Sequence, residues 1–280
     1  MSSSVSLVLG SGGARGLAHI GIIKWLEEHD YIIESISGCS MGALIGGFYA
    51  AGKLDAYTQW LTQLDTLGML KLLDFKGRGG LVSGEILVAR LKELVGDPLI
   101  QDLDIKFTAV ASDVKSEKEI WINQGSLLDA IRASISLPLF FTPCPLNGSL
   151  LIDGGVLNPV PIAPTFHDTT DLTIAVNLGG KIDNNIHLVS DVEKTSAMDK
   201  IQAYLRNITL PDAFSIENGM YKVADQSFDA MQGTIARMKL SAYPPDIEIE
   251  IPRNLCGTLE FNRAKEIIDY GYKKCHEVFQ

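Results

Sequence analysis

Ser40 stands in the pentapeptide Gly38-Cys39-Ser40-Met41-Gly42, between an apolar run and a helical one. Acyl hydrolases present a nucleophilic hydroxyl in this way: a sharp strand-to-helix turn lifts the serine clear of the backbone, and flanking glycines avoid crowding that a Cβ would aggravate. Such pentapeptides also arise by chance, so the surroundings must decide. Upstream, Gly10-Ser11-Gly12-Gly13-Ala14-Arg15-Gly16 separates a strand from a helix. Closely spaced backbone N–H groups near a helix N-terminus can hold something anionic. A dinucleotide or phosphate cradle and an oxyanion hole compete there, beside glycines that merely serve a tight turn. The dinucleotide fingerprint fails, because the frame from Gly10 ends on Arg15 and the frame from Ser11 lacks its first glycine; no Gly-Lys-Ser/Thr ending marks a P-loop. The oxyanion reading gains from the serine turn that follows within one β-α-β unit, since adjacent parallel strands bring both turns to one sheet edge. Gly12, Gly13 and Ala14 are the expected donors. Arg15 is read as orienting the loop, meeting a phosphate, or sitting on the surface.

A serine hydroxyl is a poor nucleophile until a base takes its proton. Five histidines are available, His19, His29, His167, His187 and His276. His19 falls on the first helix and His29 near its end, where structural roles are the default. His167 follows Asp153 and so fits the Ser, Asp, His order of α/β-hydrolases. Asp153 offers a shorter route. It ends the apolar run Leu150 to Ile152 and precedes Gly154-Gly155, a placement that holds a carboxylate at a strand tip with little steric cover. A solvated turn aspartate is the plain alternative.

These residues need a scaffold that gathers strand ends. Val5 to Leu9 reads as a short buried strand, and after the glycines Ala18, Gly21, Ile22, Trp25 and Leu26 recur at helical spacing. Tyr31 to Ser37 and Ala43 to Ala51 repeat strand and helix, an order that favours a parallel sheet with helices on its faces. Residues 53–98 read mainly as helix, with one start at Ser83. Lys106 to Ala111 and Glu119 to Ile122 form a predicted hairpin. Leu127 to Ser134 is a helix that stops before Pro138, and Leu150 to Ile152 and Leu172 to Val176 are two further strands. Beyond about residue 180, Met198, Ile201 and Leu205, then Met220, Ala224, Phe228, Met231, Ile235 and Met238, mark helices whose stripes face the core, with a lipid-contacting lobe as the alternative. Ile247 to Ile251 is a late strand, and Ala264, Ile267, Ile268, Tyr272 and Cys275 mark a closing helix.

The 280-residue chain is 46% hydrophobic, enough for one substantial core, and it has no internal repeat or low-complexity linker. A formal charge of -10 argues against nucleic acid as a partner and against recruitment to anionic lipid by bulk charge. Cys39, Cys144, Cys256 and Cys275 are scattered without metal-ligand spacing, so neither a disulfide framework nor a zinc site is indicated. The start of the chain lacks a signal peptide's basic flank, and the longest nearly apolar stretch, Met41 to Ala51, is too short to span a bilayer. The expectation is a soluble cytoplasmic protein.

Three blocks then stand in order: Gly12-Gly13-Ala14-Arg15-Gly16-Leu17-Ala18-His19-Ile20-Gly21, the turn at Ser40, and Asp153-Gly154-Gly155-Val156-Leu157-Asn158-Pro159-Val160-Pro161. Together they resemble the patatin-like phospholipase family, as does Ala133-Ser134-Ile135-Ser136-Leu137-Pro138 with Phe140. The resemblance covers residues 5–165. It implies a three-layer α/β/α sandwich with a mainly parallel central sheet, and a C-terminal helical elaboration over 166–280 that completes the same domain and its pocket wall. It also implies a Ser-Asp dyad. Ser40 attacks an ester carbonyl, Asp153 accepts its proton directly, the loop at Gly12 and Gly13 holds the oxyanion, and water activated by Asp153 releases the acyl group. Neither metal nor cofactor enters that scheme. Its substrates are phospholipids, lysophospholipids or simpler acyl esters, reached by transient membrane contact. Ser11 departs from the family's motif, which usually has a glycine there, and this bears on loop geometry. Thr258-Leu259-Glu260-Phe261 ahead of the last helix is similar to compact bacterial cytoplasmic members. The competing functions are a non-catalytic regulatory or binding protein on the same fold, and a nucleotide-dependent enzyme.

Overall fold

Along the first strand, β1 (Ser3–Leu9), Val5, Leu7 and Leu9 point to one side while Ser6 and Val8 point to the other. The computed structural model describes residues 2–64, 66–72, 82–184, 186 and 218–280. In it both faces of that strand are covered. Leu7 and Leu9 enter the larger core with α1 (Ala18–Glu28), α2 (Met41–Ala50) and α6 (Leu127–Ser134). Val8 enters a smaller core with Val160, Ile162 and Ala175, closed by Ala236 and Leu240 of α7 (Asn218–Ala242). Helices therefore lie on both sides of the sheet, as the predicted three-layer sandwich requires.

Among the described residues the sheet has eight strands in the order β5-β6-β3-β2-β1-β7-β8, with β4 paired to β3. β2 (Tyr31–Cys39), β3 (Lys106–Asp113), β7 (Leu172–Gly180) and β8 (Ile247–Pro252) join β1 in parallel register. β4 (Lys118–Ile122) returns antiparallel along β3, as the predicted hairpin. β5 (Cys144–Leu146) and β6 (Ser149–Asp153) are also antiparallel. Between α2 and β3 lie α3 (Leu54–Gln63), α4 (Thr66–Lys71) and α5 (Glu85–Val95), and the chain ends in α8 (Ala264–Val278), packed on α1. α6 starts where Ser126 caps it, its hydroxyl accepting the Asp129 N–H at 3.0 Å. α5 starts after Gly84, two positions later than the serine signal suggested.

The stripe read along α7 needs correcting. Met231 and Met238 are 57% and 68% exposed, whereas Gln232, Gly233, Ala236 and Leu240 face inward. The inward face packs closely against the sheet and the glycine-rich loop, where small side chains and a hydrogen-bonding amide fit and long thioethers do not. Hydrophobicity alone thus chose the wrong phase. Met198, Ile201 and Leu205, and the side chains of Met220 and Ala224, lie outside what the structure describes. Among the described residues, no helix is long and apolar enough to cross a membrane.

Candidate active site

β2 ends at Cys39 and α2 begins at Met41, so a single residue, Ser40, makes the reversal, with φ 53° and ψ −123°. A non-glycine residue in that region is strained and must be held by its neighbours. The two flanking glycines explain how the turn closes: an added Cβ would fall 2.4 Å from the Gly42 carbonyl oxygen at Gly38, and 2.0 Å from the Leu9 carbonyl oxygen at Gly42. The Ser40 N–H donates to Ser134 Oγ at 2.9 Å, and that buried hydroxyl donates onward to the Val110 carbonyl at 2.7 Å. Ser134 was not singled out as a site residue, although it lies in the Ala133 to Pro138 stretch.

The sheet brings Asp153 to the serine. β2 leaves the edge of β3 at the pair Cys39 and Val110, and β6 takes over the same edge at the next position, where Asp153 pairs with Ala111. β4 occupies the opposite edge of β3 over both positions. The end of one strand and the end of the other therefore abut, and Ser40 Oγ donates to Asp153 Oδ2 at 2.5 Å. Asp153 Oδ1 accepts the Gly155 N–H at 2.8 Å, which fixes the carboxylate plane. Asp153 is completely buried. Burial pushes its pKa up to about 7, against the lowering pull of the bonds from Ser40 and Gly155. The carboxyl thus titrates in the range where a general base works best.

The ends of β1 and β2 are neighbours, with Leu9 paired to Gly38, so the glycine-rich loop lies beside the serine turn. Its N–H groups can be assigned one by one. Gly10 donates to Val176 O at 3.1 Å, Ser11 to Pro159 O at 2.8 Å, Ala14 to Thr258 O at 2.9 Å and Arg15 to Gly12 O at 3.2 Å. Gly12 and Gly13 have no backbone acceptor among the described residues. Gly13 has φ 56°, and a Cβ there would fall 2.4 Å from Thr258 O. Two of the three expected donors are thus open. The third, Ala14, is not, because the chain after β8 supplies a carbonyl that consumes its N–H.

Arg15 is 4% exposed and forks onto Asp229 of α7, at 2.8 and 3.3 Å, with a further bond to the Arg253 carbonyl at 3.1 Å. Burial sets aside the surface reading of this arginine, and its bonds run from the loop to α7 and to the chain after β8. Both terminal nitrogens are engaged. Gln232, also on α7, donates to Ser11 Oγ at 3.1 Å. Neither Asp229 nor Gln232 carries a local sequence signal, as each meets its partner more than two hundred positions away, at separations of 214 and 221.

The histidines lie elsewhere. His19 is buried and its Nε2 donates to the Gly10 carbonyl at 2.9 Å, while burial lowers its pKa to about 4. It braces the loop as a neutral ring. His29 stacks on Trp25 near the end of α1, and His276 is on α8 beside the same tryptophan. His167 is exposed and is not among the hydrogen-bond partners of Asp153 or Ser40, and His187 lies outside the described residues. Among the described residues, no group of three or more His, Cys, Asp and Glu side chains is placed to hold a metal ion.

The family profile described as Patatin-like phospholipase matches residues 7–166. A protein described as an uncharacterized NTE family protein of Mycobacterium tuberculosis is 35% identical, over 96% of this chain and 89% of its own. Neuropathy target esterase sws of Drosophila melanogaster is 31% identical over 96% of this chain, and a patatin-like phospholipase domain-containing protein of Caenorhabditis elegans 28% identical over 99%. The match spans only 19% and 21% of those two animal proteins.

Proposed function

This chain belongs to the patatin-like phospholipase family, and from that premise we propose that it is a serine acyl hydrolase with Ser40 as nucleophile and Asp153 as base. The observation that carries the reading is the 2.5 Å bond from Ser40 Oγ to a buried carboxylate. As Ser40 Oγ attacks an ester carbonyl carbon, its proton passes to Asp153 Oδ2 and the carbonyl oxygen gains negative charge. The open N–H groups of Gly12 and Gly13 meet that oxygen, a contribution of roughly 3 kcal/mol for each well-aimed donor. Collapse of the tetrahedral intermediate expels the alcohol, which takes the proton from Asp153. Water then attacks the acyl-serine with Asp153 as base, and Ser40 is regenerated. The substrate class is a lipid acyl ester, a phospholipid, lysophospholipid or simpler ester. The exposed apolar side chains of Leu139 and Leu150, close in sequence to Ser136 and Asp153, support transient contact with a lipid surface.

Fluorophosphonate labelling and turnover of p-nitrophenyl esters of increasing chain length, beside defined phospholipids, test this reading. Ser40→Ala is expected to abolish both labelling and turnover, and His167→Ala to leave kcat within about twofold. Labelling that persists in Ser40→Ala overturns the proposal.

The buried carboxylate sets a pH dependence. Only the deprotonated form of Asp153 accepts the serine proton, so kcat/KM is expected to rise with pH to a plateau, with an apparent pKa near 7. Well below it, each unit of pH removes about tenfold. A pH–rate profile that is flat between 5 and 8 contradicts this assignment of the base.

A further inference from the structure

Two residues of the glycine-rich loop remain unexplained by the chemistry, Ser11 and Arg15, and both are held by one face of α7. Asp229, Gln232, Ala236 and Leu240 follow one another at helical spacing along that face. Ala236 and Leu240 close the smaller core, so the helix is seated on the sheet independently of its polar contacts. Its next turn reaches the loop. Gln232 bonds Ser11 Oγ, and Asp229 pairs with Arg15. Gly12, Gly13 and Ala14 lie between these two anchor points, and Ala14 is fixed by the Thr258 carbonyl.

We infer that α7 positions the oxyanion donors: Gln232 through Ser11, and Asp229 through Arg15, hold the ends of the loop so that the N–H groups of Gly12 and Gly13 stay aimed at the ester oxygen. The inference rests on the acyl hydrolase reading above and assigns residues that neither touch substrate nor move a proton. A glycine pair is the most conformationally free dipeptide a chain can offer, so donors placed on one need external restraint. Misplacement by about 1 Å can lower a rate by two orders of magnitude. Gln232 also lies against Gly155, the glycine that orients the base. A Cβ on Gly155 would fall 2.2 Å from Gln232 Nε2 and 2.5 Å from Ser11 Oγ, and the Gly155 N–H orients the Asp153 carboxylate. Ser11 thus has a dedicated partner. Arg15 is almost wholly buried, so its charge also depends on Asp229 for compensation.

The test uses the full chain with Gln232→Met, which keeps the length of the side chain and adds no charge, and Asp229→Asn. Each is expected to lower kcat between about tenfold and a hundredfold with KM within about twofold. The fluorophosphonate labelling rate should fall in parallel, because the phosphonyl oxygen meets the same donors. In Asp229→Asn the apparent pKa of the acid limb should stay where it is in the parent, since the base is untouched. In a Ser11→Gly background, Gln232→Met should lose most of its effect. Backbone order parameters of Gly12 and Gly13 provide a readout that needs no activity. They should fall from about 0.85 to below about 0.6 in both variants, while β1 and α2 remain rigid. If the parent chain neither turns over ester nor takes the probe, the hydrolase reading has failed, and the order parameters alone decide whether α7 anchors the loop. Unchanged order parameters overturn the inference, as does an unchanged kcat accompanied only by a lower thermal midpoint, which would make α7 a packing helix. If Asp229→Asn does not fold, Gln232→Met carries the test.

Discussion

Asp153→Asn is expected to lower ester turnover by about three to four orders of magnitude and, at pH 8, to make the protein more stable. The loss follows from the site: asparagine cannot accept the Ser40 proton, although its carbonyl can still take the Gly155 N–H now bonded to Oδ1. The gain follows from linkage. The carboxyl has a pKa of about 7 in the folded chain against an ordinary value of 3.8, so folding takes up a proton between those two pH values. Its contribution to stability is fully present below the unfolded pKa and is lost as pH rises through about 7. Above that point the parent holds a buried carboxylate at a cost on the order of a few kcal/mol, which the amide does not incur. The difference in thermal midpoint between variant and parent should therefore be positive at pH 8 and shrink steadily toward pH 4. Thermal unfolding at several pH values checks the sign. A variant less stable than the parent at pH 8 contradicts the burial argument even if activity is lost.

Gly42→Ala is expected to damage the fold far more than the size of one methyl suggests. The added methyl would meet the Leu9 carbonyl oxygen at 2.0 Å and the Leu9 carbonyl carbon at 2.5 Å. Both are backbone atoms of β1, so no side chain can rotate away, and α2 would have to retreat from the sheet. Overpacking against an immovable partner places the expected loss at roughly 3–5 kcal/mol, beyond the usual range for a single methyl. The retreat would also carry Ser40 away from Asp153 and from the Gly12 and Gly13 donors, so the surviving folded molecules should turn over ester slowly. Urea denaturation measures the first effect. A loss below about 1 kcal/mol would mean that the serine turn is not clamped between β1 and α2 as described.

What could be read from the chain alone was whatever is local. The Ser40 turn, the glycine-rich loop and the carboxylate at a strand tip are each written within a few residues. So are most strands and helices, because their periodicity is local too. What could not be read depends on partners far along the chain. Nothing near Ala14 announces that Thr258 takes its N–H, and nothing near Arg15 announces Asp229. The run ending at Asp153 could be recognised as a strand, but not that it lies antiparallel on the edge that β2 vacates. Met231 and Met238 misled because the period of α7 was right and its phase was not. A helix that packs on a polar loop buries Gln232 and leaves thioethers outside.

If Ser40 is the nucleophile we propose, the succession of β2 and β6 along one edge of β3 also governs when it can become reactive. Ser40 and Asp153 are 113 positions apart, so a growing or partly folded chain holds the hydroxyl long before it holds the carboxylate. Bringing them together requires closure of a long loop, a late and entropically expensive event in forming a sheet of this topology. On the proposed mechanism, activation is thereby tied to completion of the sheet, and a nascent chain would carry a latent serine rather than an unguarded one.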